Sequence, residues 1–541
     1  MPSLDSYGYI LAVYLARRKW YNVYMKVDAF NKLVGEKFPR VTDQKKIASA
    51  LKYATEKHAG QTRLSGSEYI MHPLAVATLL LEWDMDVDSV VAGLLHDIAE
   101  DTETGLEEIE ARFGQEVALL VDGVTKVSKA RAGRKDIATY LPATRDNLTK
   151  LLVAIGSDVR VIIIKLADRL HNLQTLEFQP PEKQLKTARE SLEIFGPLAD
   201  RLNMGRVRVE IEDISFSYLA PKRYNKLKNE INQRLGRAKK KLDKIRTEVV
   251  TKLREEKINF EMDGRVKSIH SLHKKLSKYI GENGEEDIDS IYDLIALRIV
   301  VDDLTTCYLV LGLLHSMYVP LLGRIKDYIA QPKLNGYQSL HTTVETPNGQ
   351  IVEFQVRTRA MHEFAERGLA ASFHYNEQKL DEAYKKGDLA PLPESLLWIR
   401  ELQEAATKLR SGKKADLDAL KLDLFSDRIF VYTPRGDIFD LPRGALPLDF
   451  AYQLHSDLAA KASGFKINGK IAKFDTPLKS GDTIEVLTRR DIFPKLDWLK
   501  KIITPHARNK LNAQLRQTNI MPPANLQSPA LKDKKPAWRR R

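Results

Sequence analysis

Residues 95–102 of this chain read LHDIAEDT, and an apolar run at helical spacing leads into them. Glu100 and Asp101 follow His96 and Asp97 by four residues, so a helix would set each of them one turn beyond its partner on the same face. A single histidine–carboxylate pair on a helix is more often a cap or a surface pair than a set of metal ligands. The pattern gains weight only if other parts of the chain repeat it.

Two further segments repeat this combination of groups. Residues 69–73 read YIMHP, and since a proline favours the first turn of a helix, we expect His72 at the exposed start of that helix. An apolar helix over residues 159–170 leads to Asp168 and Asn172, which again are four residues apart. The three segments together predict one shared site.

That site has the side chains of a divalent metal centre. Two histidines and two aspartates form a mixed nitrogen and oxygen set that leaves coordination positions open, which suits Mn²⁺ or a similar ion better than structural zinc. Glu100 and Asp101 would then act beside the metal as base and proton carrier. The residues alone predict a metal-assisted phosphoester hydrolase and leave its substrate open.

The composition is that of globular domains with proper cores. The chain has 541 residues, of which 43% are hydrophobic and 29% charged, enough for about three or four domains. No apolar run reaches the roughly 18 residues that a membrane span needs. The single Cys307 excludes an internal disulfide framework and a cysteine-based zinc site, and it fits a reducing cytoplasm, where we expect the protein.

The net charge of +14 comes partly from basic residues in 234–244 and from the C-terminal end of the chain. Such charge suits a polyanionic partner, such as nucleotide phosphates, RNA or the ribosome. A solvated helix and a disordered basic tail explain these two segments equally well.

Patterning along the chain predicts three kinds of domain. Helical spacing continues to about residue 220, and the charged stretch 224–257 predicts a connector or a coiled hairpin. Strand-like runs then flank Pro347-Asn348-Gly349, a strong hairpin signal within a mixed α/β part of about residues 240–395. Short strands between 424 and 490 predict a small β-rich domain, and beyond about 515 the composition predicts disorder.

The mixed part holds a second candidate site. Residues 264–276 read GRVKSIHSLHKKL, and cations at this spacing suit a nucleotide polyphosphate. The loop 326–341 adds cations, amides and an exposed tyrosine that can stack on a base. In the strand 351–357 apolar residues alternate with Glu353, which with Asp293 would bind Mg²⁺ and deprotonate a ribose hydroxyl. Taken alone, this segment is simply a half-exposed antiparallel strand.

The N-terminal motifs resemble the HD-superfamily hydrolase domain of the RelA/SpoT homologue family, the enzymes of the stringent-response alarmone (p)ppGpp. The resemblance runs from Arg63 to about Leu202. It implies the metal ligands and catalytic carboxylates His72, His96, Asp97, Asp168, Glu100 and Asp101. It also implies a guanine nucleotide held by Arg63, Asn172 and Thr175. Leu64 and Gln174 depart from the lysine and arginine usual in the family.

The segment from Gly264 to about Tyr375 resembles the synthetase domain of the same family, a nucleotidyltransferase-like fold that moves pyrophosphate from ATP to the 3′-hydroxyl of GDP or GTP. The resemblance implies that Asp293 and Glu353 bind Mg²⁺ and that Glu353 is the base. It implies ATP contacts from Arg265, Lys267 and Lys275, and guanine-nucleotide contacts from Lys333, Asn335, Tyr337 and His341. Ser268, His270, His273 and an insertion around 281–286 are departures from the family pattern.

The β-rich part resembles a TGS domain, a small β-grasp fold that contacts uncharged tRNA on the ribosome in long members of the family. His455 matches the histidine that contacts the tRNA. No zinc-finger-like or ACT-like domain is expected after it.

These resemblances imply a multidomain α + α/β protein with an all-α hydrolase domain, a mixed α/β synthetase domain and a TGS domain. The expected parts are 1–215 (hydrolase), 216–257 (connector), 258–395 (synthetase), 396–423 (linker), 424–490 (TGS) and 491–541 (helical start and basic tail).

The expected function is bifunctional: Mn²⁺-dependent hydrolysis of ppGpp and pppGpp, and Mg²⁺-dependent synthesis from ATP and GDP or GTP. No membrane partner is expected. The alternatives are a ribosome- or tRNA-binding regulator with one active domain, and a hydrolase of other nucleotides. Opposed activities in one chain also imply a conformational switch through the connector.

Overall fold

The structure, a computed structural model, describes residues 27–125, 151–276 without 153 and 157, 294–368 without 334, and 428–517 without 435–437, 480 and 490. The chain forms two compact units, Met1–Ala415 and Asp416–Arg541. The predicted linker, the insertion around 281–286, Asp293 and the tail beyond residue 517 lie outside the described residues. Within the described part, no helix is both long and apolar enough to cross a membrane.

An all-α domain forms the first part of the larger unit, as predicted. Its helices are α1 (Val27–Lys37), α2 (Val41–Lys57), α3 (Met71–Glu82), α4 (Val87–Leu95), α5 (Ile98–Asp101), α6 (Leu106–Phe113), α7 (Gln115–Val124), α8 (Arg160–Gln174), α9 (Pro181–Glu190), α10 (Gly196–Arg201) and α11 (Gly205–Leu219). A 3₁₀ turn (Leu176–Phe178) follows α8, and a π-helical segment (Ser191–Phe195) joins α9 to α10.

Helix α3 forms the centre of this domain, because every residue from 72 to 81 is buried. Beside it, α4 and α8 begin side by side: the Asp86 carboxylate accepts from the Ser89 N–H at 2.7 Å and pairs with Arg160 at 2.8 Å. His96 and Asp168 then lie eight or nine residues further along their helices, about 13 Å from these starts at the rise of an α-helix. The pairing therefore brings His96 and Asp168 to the same level.

The charged stretch predicted as a connector or hairpin is one continuous helix of 35 residues, α12 (Pro221–Glu255). Its apolar face is buried at both ends. Tyr224, Leu227 and Ile231 pack with the helix α13 (Ile269–Leu276), and the stretch from Leu242 to Leu253 contributes to the core beneath the sheet. The helix is thus part of the mixed domain's core over most of its length.

The mixed α/β domain is built on a sheet with the strand order β1-β2-β6-β5-β3, with β4 also paired to β5. The strands are β1 (Phe260–Val266), β2 (Ile295–Val301), β3 (Val319–Pro320), β4 (Lys326–Asp327), β5 (Leu340–Glu345) and β6 (Ile351–Thr358), with α14 (Leu304–Met317) after β2 and α15 (Arg359–Arg367) after β6. The predicted hairpin is confirmed: β5 and β6 are antiparallel, and Gly349 in their turn has φ +69°.

Strand β6 differs from the expected half-exposed antiparallel strand in two ways. It pairs in parallel with β2 on its other side, so it lies inside the sheet. Gln355 and Arg357, on the face opposite the apolar core, are also buried, with 5% and 1% exposure. Helix α15 covers that face, because its His362 and Glu366 contact Arg357, and a single strand's alternation does not reveal this.

The second unit contains the predicted small β-rich domain. Its elements are β7 (Arg428–Tyr432), β8 (Ile438–Pro442), α16 (Pro447–Leu454), α17 (Ser456–Ala460), β9 (Ala462–Ile467), β10 (Lys470–Ala472), β11 (Ile484–Thr488), a 3₁₀ turn (Leu496–Lys501) and α18 (Pro505–Gln517). Trp498, Leu511 and Leu515 belong to the same core as the strands. The buried Asp449 carboxylate accepts from the N–H groups of Ile503 and Thr504, which ties α18 to α16.

Candidate active sites

His72 lies in the first turn of α3, as expected from Pro73, but it is buried rather than exposed, with 2% exposure. The neighbouring helices enclose the start of α3. His96 and Asp97 also differ from the prediction, because they form the turn between α4 and α5 instead of lying inside one helix. Both keep right-handed helical backbone angles, so Glu100 and Asp101 still follow in α5.

The structure brings the four predicted ligands together. His72 Nε2 lies 3.4 Å from Asp97 Oδ2 and 3.3 Å from Asp168 Oδ1. His96 Nε2 lies 3.2 Å from Asp97 Oδ1 and 3.8 Å from Asp168 Oδ1. Ligand atoms of His72, His96 and Asp168 all fall within 4.8 Å of one another, a spacing that one metal ion can bridge.

These side chains fit a divalent cation. His96 Nε2 is buried and makes no hydrogen bond with any described residue, although it points at two carboxylates. Burial opposes a charge on this ring, yet Asp97 and Asp168 outweigh it and raise the pKa of His96 to about 9. Burial also opposes charge on Asp168, but Lys165 and the histidines hold its pKa well below the usual range. Two ionised carboxylates with facing imidazoles form a site that an ion of charge +2 completes.

The residues predicted to hold a nucleotide surround this centre. Arg63 Nη2 donates to Asn172 Oδ1 at 3.0 Å, and Asn172 Nδ2 donates to Asp168 Oδ1 at 2.5 Å. Thr175 follows α8 as its C-cap, and its hydroxyl donates to the carbonyl of His171 at 3.0 Å. Asp101 is exposed and reaches the ligand set through Tyr69, whose hydroxyl lies 2.6 Å from Asp101 Oδ2 and 2.9 Å from Asp97 Oδ2.

The second site is a chain of polar contacts across the sheet. Arg265 Nη1 donates to Gln355 Oε1 at 3.2 Å, and Gln355 Nε2 donates to Glu353 Oε1 at 2.8 Å. His341 Nδ1 lies 3.2 Å from the same carboxylate, and its Nε2 lies 2.9 Å from the Tyr337 hydroxyl. The five side chains come from β1, β5, β6 and the loop before β5, so the strand register itself assembles the site.

The loop before β5 is packed rather than open. Lys333 lies over the rings of Tyr328 and Tyr337 at 4.8 and 4.9 Å. Tyr337 is therefore half-buried, contrary to the exposed tyrosine expected there. Asn335 Nδ2 donates to the carbonyl of Asp200 in the all-α domain at 3.1 Å.

The two predicted ATP-binding lysines lie in the segment that follows β1. Lys267 follows β1 and Lys275 is in the last turn of α13. Asp293, the predicted magnesium partner of Glu353, lies outside the described residues, so the second site is described by Glu353 and its neighbours.

Comparison with known proteins follows the same division. Residues 50–205 match the HD domain, 264–380 the region found in RelA/SpoT proteins, and 429–488 the TGS domain. The chain is 39% identical over 491 residues to the bifunctional (p)ppGpp synthase/hydrolase SpoT of Escherichia coli K12, covering 90% of this chain and 67% of that protein. This chain belongs to the RelA/SpoT family.

Other relatives in the family carry names for either activity. A GTP pyrophosphokinase of Myxococcus xanthus is 42% identical, covering 87% of this chain and 60% of that protein. A probable guanosine-3′,5′-bis(diphosphate) 3′-pyrophosphohydrolase of Synechocystis is 39% identical, covering 87% of this chain and 60% of that protein. The chain spans between 55% and 67% of the length of eight such relatives.

In the TGS part of this RelA/SpoT chain, His455 is exposed and precedes α17. Its Nδ1 accepts from the Asp457 N–H at 3.3 Å, which is the contact of a helix-end histidine. Its other ring nitrogen does not take part in this cap.

Sequence reasoning missed several residues that touch the two sites. Tyr69 and His171 lie three residues from the predicted ligands His72 and Asp168, and Lys165 Nζ pairs with Asp168 Oδ2 at 2.5 Å. Their three-residue spacing from a ligand is a helical signal that could have identified them. In the sheet, the buried Arg298 and Arg357 share the carboxylate of Glu366 at 3.1 Å each. Their proximity depends on the pairing of β2 with β6, which the sequence does not reveal.

Proposed function

We propose that this chain both degrades and makes (p)ppGpp. The first site would remove the 3′-pyrophosphate of ppGpp and pppGpp with Mn²⁺. The second would transfer pyrophosphate from ATP to the 3′-hydroxyl of GDP or GTP with Mg²⁺. The observation that carries the proposal is the buried convergence of His72, His96, Asp97 and Asp168 in the same chain as the Glu353 network.

For hydrolysis, the ion would be held by His72, His96, Asp97 and Asp168. When bound, it acts as a Lewis acid. Arg63 and Asn172 lie on one side of this set, where a guanidinium and an amide suit the phosphate and base of a nucleotide. Asp101 is exposed and hydrogen-bonded through Tyr69 to the ligand set. We infer that Asp101 moves the proton between water and the leaving group, with Glu100 as the second carboxylate.

For synthesis, Glu353 would accept the proton of the ribose 3′-hydroxyl as that oxygen bonds to the β-phosphorus of ATP. The bond between the β-phosphorus and the oxygen bridging to the α-phosphate breaks in the same step, and AMP leaves. Gln355 and His341 hold its carboxylate in place, and both contacts are on the polar face of the sheet. With Asp293, Glu353 would also hold Mg²⁺, whose charge offsets that of the polyphosphate. Arg265, Lys267 and Lys275 would bind the ATP phosphates, while Lys333, Asn335, Tyr337 and His341 bind the guanine nucleotide.

Thin-layer separation of labelled nucleotides tests both activities. The chain should make (p)ppGpp from ATP and GDP or GTP with Mg²⁺, and should degrade ppGpp with Mn²⁺. Asp97→Ala should abolish degradation alone, and Glu353→Gln synthesis alone. Equal loss of both activities from either change would contradict two separate sites, and activity at neither site would refute the enzyme proposal. Activity at one site only would favour a regulatory protein with a single working domain.

The TGS unit supports a further part of the proposal, namely binding of uncharged tRNA and the ribosome in the cytoplasm. Exposure of His455 is consistent with a contact to RNA. Filter binding of labelled uncharged tRNA should weaken in His455→Ala, while aminoacylated tRNA should bind less well to either protein. Equal binding of both tRNA forms would refute this part.

A further inference from the structure

His171 lies against the edge of the metal ligand His72 that faces away from Asp97 and Asp168. Its Nδ1 is 2.7 Å from His72 Nδ1, and the two rings lie 4.9 Å apart between centroids. His171 is buried, with 4% exposure, and it reaches His72 across 99 positions of sequence. A separation of 2.7 Å between two nitrogens requires a single hydrogen between them.

The position of Arg63 indicates which of the two histidines is protonated on Nδ1. Arg63 Nη1 lies 3.2 Å from the same His171 Nδ1. A guanidinium has only donors, so the nitrogen it faces must present a lone pair. His171 is therefore protonated on Nε2 alone, and the hydrogen in the short contact belongs to His72 Nδ1. An imidazole with its hydrogen on Nδ1 has its lone pair on Nε2, the atom that faces the two carboxylates.

We propose that His171, held by Arg63, is a positioning residue that fixes the metal-binding tautomer of His72. Without an acceptor at this point, the His72 hydrogen can move to Nε2, where it blocks coordination. The inference rests on the metal-dependent hydrolysis proposed above and deepens it. Arg63 then has two roles, since the guanidinium that anchors His171 also contacts Asn172 beside the nucleotide site.

The second histidine ligand shows the same requirement met in a simpler way. His96 Nδ1 lies 2.8 Å from the carbonyl oxygen of Gly93, which can only accept. His96 therefore also carries its hydrogen on Nδ1 and turns a lone pair toward the site when neutral. Beside His72, the imidazole of His171 takes the place of that carbonyl. It can accept only while its Nδ1 carries no hydrogen, and the donor Arg63 favours that tautomer. The acceptor for His96 is thus a backbone carbonyl that can only accept, whereas the acceptor for His72 depends on the tautomer of His171.

The test measures Mn²⁺ binding to the full chain by electron paramagnetic resonance, without nucleotide. His171→Leu removes the acceptor at similar volume, and we expect the Kd for Mn²⁺ to rise about 10- to 100-fold, the usual effect of losing a partner of a ligand histidine. His171→Asn keeps an acceptor oxygen near the Nδ1 position and should restore most of the affinity. Arg63→Met should weaken binding as well, although Arg63 is not a ligand. His315→Leu, a histidine in the mixed domain that contacts Thr342, is the matched control and should leave Kd unchanged.

Helical circular dichroism of each variant, compared with wild type, reports whether the all-α domain that carries the substitutions is folded. If His171→Leu does not fold, the comparison of Arg63→Met with wild type decides the question alone. Unchanged Mn²⁺ affinity in these variants, with wild type binding and hydrolysing normally, would overturn the inference and leave the proposed function intact. If His171→Asn were as weak as His171→Leu, His171 would be a packing residue only. A wild-type chain that binds no Mn²⁺ would overturn both.

Discussion

At the scale of single residues, the candidate metal site places buried groups of opposite charge next to one another. Two carboxylates face two imidazoles, and Lys165 supplies one fixed positive charge beside Asp168. Tyr69 adds a hydroxyl between Asp97 and Asp101. Because both of these carboxylates take part in the proposed hydrolysis, the hydroxyl couples the ligand set to the proton carrier.

Removing this hydroxyl should therefore slow hydrolysis without unfolding the domain. Tyr69→Phe keeps the ring, which stacks on His58 at 4.6 Å. A hydrogen bond to a charged group contributes about 1.5–3 kcal/mol, so we expect at least about a tenfold fall in the rate of ppGpp degradation. Synthesis by the same sample is the internal control and should not change. A full rate of degradation would show that Asp97 and Asp101 need no bridge.

The second site offers a matching change. Gln355 contacts both Arg265 and Glu353, accepting from the first and donating to the second. Gln355→Leu should lower the rate of synthesis about tenfold, because the carboxylate loses a donor that orients it. Gln355→Glu introduces a second carboxylate beside Glu353 and should be worse, since like charges at this distance repel. Degradation of ppGpp should be the same in all three proteins, and a parallel fall would contradict the separation of the sites.

At the scale of elements, α11 and α13 meet through one buried carboxylate. Asp213 on α11 accepts from the backbone N–H groups of Ile269 and His270, at 3.2 and 2.8 Å, and so caps the start of α13. Burial raises the pKa of Asp213 to about 6, despite these two donors. The folded chain therefore binds this proton more tightly than the unfolded chain, whose aspartate has its ordinary pKa of about 4.

Because of this raised pKa, the free energy of unfolding depends on the ionisation of Asp213. The contribution of Asp213 to the free energy of unfolding is complete below about pH 4 and is lost as the pH rises through about 6. Asp213→Asn keeps an acceptor and cannot ionise, so relative to wild type it should gain up to about 3 kcal/mol between pH 4 and 7. Urea unfolding at several pH values measures this difference. In Glu212→Gln the trend should reverse, because burial opposes charge on Glu212 but His270 and Arg208 lower its pKa. A flat difference for Asp213→Asn would contradict the burial argument.

The elements also show how far the sequence predicts this protein. The helical segments that carry the four expected ligands His72, His96, Asp97 and Asp168, and the β5–β6 hairpin, follow from local spacing, because helical and strand periodicities are set by neighbouring residues. Contacts that depend on packing could not be predicted in this way. The burial of His72 comes from the surrounding helices, and its contact with His171 spans 99 positions.

The same limit applies to β6, whose polar face is covered by an element that follows it in the chain. Alternation in a strand separates two faces but does not say what covers each of them. The continuity of α12 could likewise not be predicted, since its charged residues are compatible with a connector. Leu242, Ile245 and Val249 recur at helical spacing because they pack in the core beneath the sheet.

At the scale of the larger unit, the all-α domain touches the loop and helix that surround the second site. Asn335 donates to the Asp200 carbonyl, Asn203 Nδ2 donates to the Phe364 carbonyl at 3.2 Å, and Arg367 on α15 pairs with Asp84. Asn335 belongs to the set proposed to hold the guanine nucleotide. In this arrangement the other domain contacts the loop, so we expect the proposed synthesis to need a change in these contacts, in line with the expected switch between opposed activities.

Breaking one of these contacts should therefore shift the chain toward synthesis. Arg367→Gln removes the ion pair between the domains, and since a partly exposed pair contributes up to about 1 kcal/mol, the ratio of synthesis to degradation should rise by up to about fivefold. Lys37→Gln is the matched control, because Lys37 also pairs with Asp84 but lies within the all-α domain. Both ratios come from one assay with labelled GDP and ppGpp. An equal shift in the two variants would mean that Asp84 acts through the stability of its own domain, and no shift in either would mean that this contact does not hold the two activities apart.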